Sequence, residues 1–199
     1  MGLDWNPRSA LKGGVGKTTT AVATAEILAH EHRKQVLLID LDPQTNATVT
    51  LIKEDDWQTR DENGQTIAQL FIDKLNPNEA PRFDIEQAIA RRVSGLNGGI
   101  ARLDLLPSSI RLIDVQDSIP LIALRGNFMT NPLDILKSAI QPIIDRYDYI
   151  IIDCPPSLAW KIHDFRSTKG LAMVQIRCLV RFETKSEAFA CPNIPQQTV

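Results

Sequence analysis

A glycine-rich segment near the start of the chain constrains its fold more than any other feature. Residues 12–20 read KGGVGKTTT, and helix-favouring residues follow them. Gly13, Gly14 and Gly16 allow the backbone to curl so that successive N–H groups point inward. A helix that begins near Lys17 adds the positive end of its dipole to the same place. The segment therefore predicts a phosphate-binding loop that leads into a helix.

The side chains of this loop suit a nucleotide. Lys17 can reach the β- and γ-phosphate oxygens, the Thr18 hydroxyl can ligate Mg²⁺, and Thr19 is placed to touch the α-phosphate. We expect residues 13–19, including Val15, to bind the cofactor. The alternative is a glycine-rich turn before an ordinary helix, which the three glycines, one lysine and three threonines in register disfavour.

Strands alternate with helices along the rest of the chain. Continuous apolar runs predict buried strands, and apolar residues at helical spacing predict helices. The predicted strands are residues 35–40, 103–106 and 149–153, and the predicted helices are residues 17–30, 67–75, 85–89 and 133–143, the last interrupted by Pro142. This alternation predicts an α/β fold with a doubly wound, mostly parallel sheet.

Composition excludes several classes of protein. The net charge of −2 argues against a chain that coats nucleic acid with its whole surface. Cys154, Cys178 and Cys191 form no C-x-x-C pair, so neither a disulfide framework nor a zinc site is expected. No apolar run approaches about 18 residues, so a cytoplasmic protein without a membrane span is expected.

The sequence of the phosphate loop resembles that of a known family. Leu11 stands where the usual G-x-x-x-x-G-K-[ST] pattern has its first glycine, and Lys12 follows. KGGVGKTT resembles the deviant Walker A box of the ParA/MinD superfamily of dimerising P-loop ATPases. The resemblance implies that Lys12 reaches across an ATP-dependent homodimer to the partner's nucleotide. Alternatively, Lys12 is a solvated lysine of the loop.

Two further segments extend the resemblance. LIDLDPQTNAT, residues 38–48, is similar to the switch segment of the family. This similarity implies that Asp40 supports the water shell of the metal and that Asp42 orients the attacking water. As an alternative, DPQTN forms only an Asx-type turn after a buried strand.

YDYIIIDCPPSL, residues 147–158, is similar to the Walker B region. The similarity implies that Asp153 provides a carboxylate to the magnesium site. An acid buried at the end of an apolar strand is costly unless it faces a cation or donors, which favours metal binding over strand capping.

The resemblance covers residues 11–158, which we expect to form the ATPase domain, and is greatest to the partition branch of ParA or Soj type. It implies ATP and Mg²⁺ as cofactors. It also implies a ParB-like partner protein, nonspecific DNA binding and a location at the nucleoid if that DNA binding is retained. A MinD-type protein would end in a basic amphipathic helix, whereas the last residues contain two prolines and no such face, so no membrane contact is expected. A MinD-like or other superfamily ATPase with a different cargo remains an alternative.

Both ends of the chain depart from the family pattern. Residues 1–10 lack the apolar strand that normally precedes the loop and are expected to form an irregular leader. Residues 159–199 contain six Lys or Arg against three Asp or Glu and resemble no family element beyond a faint apolar run at 172–176. One interpretation is an altered or truncated chain with an incomplete sheet, which is either a poor ATPase or a non-enzymatic remnant. The other is a genuine replacement segment that folds over the sheet, so whether the chain is an enzyme stays open.

Overall fold

The computed structural model describes residues 16–95, 98–115, 118, 132–155, 171–173 and 179–182. The predicted leader lies outside the described residues, and so do Lys12, Gly13, Gly14 and Val15 of the predicted loop. Most of the predicted divergent segment, residues 159–199, also lies outside them.

The described elements begin with a helix and a strand, continue with four helices in succession before the second strand, and end with three strands. The helices are α1 (Lys17–His30), α2 (Asn46–Leu51), α3 (Glu54–Glu62), α4 (Ile67–Leu75), α5 (Ile85–Ala88) and α6 (Pro132–Ile140), with a 3₁₀ helix at Gln141–Arg146. The strands are β1 (Val36–Asp40), β2 (Leu103–Leu106), β3 (Tyr149–Asp153), β4 (Leu171–Met173) and β5 (Leu179–Phe182).

The strands form a sheet in the order β2-β1-β3-β5-β4. Strand β1 pairs in parallel with both β2 and β3, with Val36 opposite Leu103 on one side and opposite Tyr149 on the other. The predicted α/β fold with parallel strands is confirmed. Strands β5 and β4 were not predicted; they extend the sheet beyond β3 by antiparallel pairing.

Both faces of the parallel strands are covered, as the continuous apolar runs predicted. Side chains alternate along a strand, so Leu37 and Ile39 of β1 pack into one core cluster while Val36 and Leu38 pack into another. The first cluster contains Phe71 of α4, which is fully buried. The sheet is therefore doubly wound, with its apolar strands between two layers.

The helix boundaries follow the predicted signals in most places. Asp84 caps α5, where its carboxylate accepts a hydrogen bond from the Glu86 N–H at 2.9 Å. The helix predicted over residues 133–143 ends at Ile140, and the chain continues as the 3₁₀ helix that contains Pro142. Helices α2 and α3 were not predicted; α3 has no buried residue, so no apolar stripe marks it in the sequence.

Candidate functional site

The carboxyl ends of the three parallel strands meet at one edge of the sheet. Asp40 ends β1 and Asp153 ends β3, and the two residues are partners in the strand register. Just beyond this pair, the Leu41 N–H donates to the Asp153 carbonyl oxygen at 2.8 Å. Open α/β sheets bind ligands at this edge, where loops after the strands converge.

Helix α1 presents its amino end to this edge. Gly16 caps the helix with a backbone φ of 77°, a left-handed conformation that residues with a side chain rarely adopt. The Thr20 N–H donates to the Gly16 carbonyl oxygen at 2.8 Å and closes the first turn. The described end of the predicted loop thus leads directly into the helix that carries Lys17, Thr18 and Thr19.

Asp153 lies within the electrostatic reach of three other predicted site residues. Burial raises the pKa of its carboxyl group above the ordinary value, a hydrogen bond with the Thr18 side chain lowers it, the charge of Asp42 raises it and the charge of Lys17 lowers it. The structure therefore brings Lys17, Thr18, Asp42 and Asp153 together. Thr19, by contrast, is exposed on α1.

One oxygen of Asp153 lacks protein compensation. The Oδ2 atom is buried and has no hydrogen-bond partner among the described residues. A buried carboxylate oxygen without a donor is costly, so a cation or donor that approached it would be favoured.

Asp42 lies in a tight turn between β1 and α2. Its Oδ1 atom accepts a hydrogen bond from the Gln44 N–H at 2.9 Å, and its carbonyl oxygen accepts one from the Thr45 N–H, also at 2.9 Å. The Asx-type turn that we considered as an alternative is thus present. The same carboxylate acts electrostatically on Asp153, so the turn and the site coexist.

Asp40 has donors for both of its carboxylate oxygens. Oδ1 accepts from the Asp42 N–H at 3.0 Å, and Oδ2 accepts from the N–H and the hydroxyl of Thr48 at 2.9 and 2.8 Å. Burial raises the pKa of Asp40 to about 7, against the lowering effect of these donors. Support of the metal's water shell by Asp40 stays a prediction.

The donor set fits Mg²⁺ bound together with a phosphate ligand. Among the described residues, no group of three or more His, Cys, Asp or Glu side chains could hold a metal alone. Mg²⁺ commonly binds through one or two protein oxygens, substrate phosphates and water. The Thr18 hydroxyl and the uncompensated Asp153 oxygen meet that requirement.

Thr48 and Ser108 were not singled out from the sequence, yet both are buried polar residues at this edge. Ser108 directly follows Pro107 at the end of β2, so its place after a third parallel strand was a usable signal. Thr48 has no comparable signal because α2 was not predicted.

None of the helices within the described ranges is long and apolar enough to cross a membrane.

Comparison with protein families identifies the domain. An AAA domain family matches residues 9–174 of the chain. The Soj sporulation initiation inhibitor protein of Bacillus subtilis (strain 168) is 32% identical over 169 residues, which cover 84% of this chain and 55% of Soj. The chromosome partitioning protein ParA of Myxococcus xanthus (strain DK1622) is 32% identical over 173 residues, which cover 84% of this chain and 50% of that protein.

Solved structures share the fold. A plasmid partition protein from Borrelia burgdorferi matches with a TM-score of 0.51 and 28% identity, over 74% of this chain and 54% of that one. Cobyrinic acid a,c-diamide synthase from Mycobacterium smegmatis, with bound ATP analogue and magnesium, matches with a TM-score of 0.52 and 28% identity, over 74% of this chain and 49% of that one. The chain thus spans about half the length of these relatives.

Proposed function

Because this chain belongs to the AAA domain family of ParA and Soj type partition ATPases, we propose that it binds and hydrolyses ATP as a dimerisation switch in plasmid or chromosome partition. The observation that supports this function best is that Lys17, Thr18 and Asp42 act on the carboxyl group of Asp153, whose Oδ2 atom has no partner among the described residues. A phosphate-bound cation would compensate that oxygen.

Each residue of the site has a distinct task in this proposal. Residues 13–19 hold the phosphates through backbone N–H groups, and Lys17 contributes a charge to the β- and γ-phosphates. Thr18 and Asp153 hold Mg²⁺, which would neutralise charge that develops on the phosphate oxygens.

Hydrolysis requires a water molecule in line with the bond to the leaving ADP. Asp42 orients this water so that its oxygen attacks the γ-phosphorus while the bond to the β-phosphate oxygen breaks. Positioning is the main protein contribution to phosphoryl transfer. The hydrogen bond from Gln44 to Asp42 supports this role because it fixes the carboxylate on the turn.

Partners follow from the family and form part of the proposal. Lys12 contacts the nucleotide of the second subunit, so ATP closes the homodimer. The dimer holds DNA nonspecifically through phosphate contacts, which weaken steeply with salt. A ParB-like protein stimulates hydrolysis and releases the DNA. The proposed location is the cytoplasm, at the nucleoid.

Calorimetric titration with Mg²⁺-ATP tests the nucleotide site. Lys17→Ala should abolish detectable binding because it removes a charge-assisted contact to phosphate. Lys34→Ala is the matched control, since Lys34 is exposed and precedes the opposite, amino end of β1. Equal ATP affinity in Lys17→Ala and the parent protein would refute the proposed site.

Light scattering tests the switch. Lys12→Ala should bind Mg²⁺-ATP as a monomer and fail to dimerise. Normal ATP-dependent dimerisation of this variant would overturn the role of Lys12 and would leave the nucleotide site itself intact.

A non-enzymatic remnant is the second candidate, and the departure of residues 159–199 from the sequence pattern of the family favours it. Thermal unfolding separates the two functions. A single cooperative transition that Mg²⁺-ATP raises, as expected for a ligand of the native state, supports the ATPase. A broad transition whose temperature does not change with Mg²⁺-ATP supports the remnant. A superfamily ATPase with another cargo would pass this test but would not respond to a ParB-like partner.

A further inference from the structure

A closed ring of hydrogen bonds surrounds the backbone of Asp42. The Asp42 N–H donates to Asp40 Oδ1 at 3.0 Å, and the Thr48 hydroxyl donates to Asp40 Oδ2 at 2.8 Å. The Ser108 N–H donates to the Thr48 hydroxyl oxygen at 2.9 Å. The Ser108 hydroxyl donates to the Asp42 carbonyl oxygen at 2.7 Å and completes the ring.

The ring joins three separate elements at one point. Asp40 ends β1, Thr48 belongs to α2 and Ser108 follows β2, so the contacts span as many as 66 residues of sequence. Asp40, Thr48 and Ser108 are all 0% exposed. Hydrogen bonds in such a dry setting are stronger than at the surface, and the loss of one partner leaves a buried group unsatisfied.

Ser108 also has support from outside the ring. Its carbonyl oxygen accepts a hydrogen bond from Trp57 Nε1 of α3 at 2.9 Å. Thus Ser108, which contacts Asp42, is itself held by Trp57 of a fourth element, α3.

Local contacts alone would hold Asp42 less firmly. The bonds from Gln44 and Thr45 lie within the turn, and the Leu41 N–H bond to β3 fixes the residue before Asp42. Within the described part of the chain, only the ring ties the N–H and the carbonyl group of Asp42 to the core of the sheet through side chains. A carboxylate that must orient a water within a fraction of an ångström needs such support.

We propose that Thr48 and Ser108 are positioning residues for Asp42, because their hydroxyl groups close the ring that fixes the Asp42 backbone. This inference rests on the proposed function for its catalytic consequence. The restraint on the backbone is a separate property that can be measured without nucleotide.

The main test compares Ser108→Ala with Ser109→Ala in the full chain. The two serines are adjacent and buried, but the Ser109 hydroxyl oxygen accepts only from the Arg111 N–H among the hydrogen bonds described, at 3.0 Å. Hydrogen–deuterium exchange of residues 41–46 should accelerate about tenfold in Ser108→Ala, because the Asp42 carbonyl group loses the donor that ties it to the core and keeps only the Thr45 N–H of its own turn. Ser109→Ala should leave this segment unchanged.

A second measurement reads the catalytic consequence. Ser108→Ala should lower kcat for ATP hydrolysis about tenfold and change the dissociation constant of Mg²⁺-ATP less than twofold. A loss of ATP affinity with an unchanged kcat would overturn the inference.

Thr48 supplies a pair of variants that does not depend on how Ser108→Ala folds. Thr48→Ser keeps the hydroxyl group and should preserve both the slow exchange of residues 41–46 and kcat. Thr48→Val keeps the shape without the hydroxyl group, so exchange should accelerate and kcat should fall. Equal exchange rates and equal kcat in Thr48→Ser and Thr48→Val would refute the inference. Equal acceleration of exchange in Ser108→Ala and Ser109→Ala would also refute it. If the parent protein hydrolyses no ATP, the proposed function fails, while the exchange comparison still decides whether the ring holds Asp42.

Discussion

Replacement of Asp42 by asparagine separates the chemistry of this residue from its structural role. Asparagine retains an Oδ1 acceptor, so it can keep the bond from the Gln44 N–H that aspartate makes at 2.9 Å. The backbone bonds with Asp40, Thr45 and Ser108 do not depend on the side chain at position 42. Asp42→Asn should therefore preserve the turn and remove only the negative charge.

The expected magnitudes differ between stability and catalysis. Asp42→Asn should change the free energy of unfolding by less than about 0.5 kcal/mol, whereas Asp42→Ala loses the Gln44 bond and should cost about 1 kcal/mol. For a domain of this size, that cost corresponds to about 2–4 °C in Tm. Both variants should slow hydrolysis by about 10²–10⁴-fold, as expected for the loss of a positioned carboxylate.

Single-turnover hydrolysis of Mg²⁺-ATP and thermal unfolding of the same preparations check these values. Both variants should bind ATP as the parent does and accumulate as the ATP-bound dimer, because the phosphate loop is unchanged. The reasoning is refuted if Asp42→Asn hydrolyses ATP within tenfold of the parent rate. It is also refuted if asparagine lowers stability as much as alanine does, since the turn would then depend on the charge.

Three other outcomes follow from burial and charge. Asp153→Ala should raise the Mg²⁺ concentration needed for ATP binding, and a magnesium titration identical to that of the parent would make this acid purely structural. Phe71→Ala should lower the free energy of unfolding by about 3–5 kcal/mol in chemical denaturation, whereas truncation of the 49% exposed Ile113 to alanine should change it by less than about 1 kcal/mol. The pKa of Asp40 rises on folding to about 7, so the folded protein holds this proton more tightly. The parent should therefore lose stability relative to Asp40→Asn as the pH rises from 4 to 7, by up to about 4 kcal/mol, and a constant difference across this range would contradict the assignment.

The sequence predicted those parts of the fold in which burial leaves a periodic pattern. Strands β1 and β3 are continuous apolar runs because helices cover both faces of the sheet, and α4 shows its buried side as a stripe that includes Ile67 and Phe71. Helix α3 lacks any buried residue, so no such pattern exists to be read. Strands β4 and β5 are three and four residues long and pair by antiparallel contacts that no local pattern specifies.

The residues of the site were likewise predicted only in part. Four residues were predicted because each belongs to a segment with a recognisable sequence motif, and the sheet brings them to one edge: Lys17, Thr18, Asp42 and Asp153. Thr48 was missed because its partner Asp40 lies eight residues away, and the helix that carries Thr48 was not predicted. Such pairings depend on tertiary structure, and a threonine or serine in a loop has many possible roles in sequence alone.

The two buried aspartates at the ends of β1 and β3 meet the same electrostatic problem in different ways. They are register partners, burial raises the pKa of each, and the charge of Asp153 raises that of Asp40 further. Asp40 receives three hydrogen bonds from protein donors, whereas Asp153 Oδ2 receives none from the described residues. A buried acceptor without a partner costs about 1–3 kcal/mol, and a charged one costs more. The same edge therefore contains one carboxyl group with a protein donor at each oxygen and one with an oxygen that no described residue compensates, which is why we infer that Asp40 acts through the backbone of Asp42 and Asp153 acts through the metal.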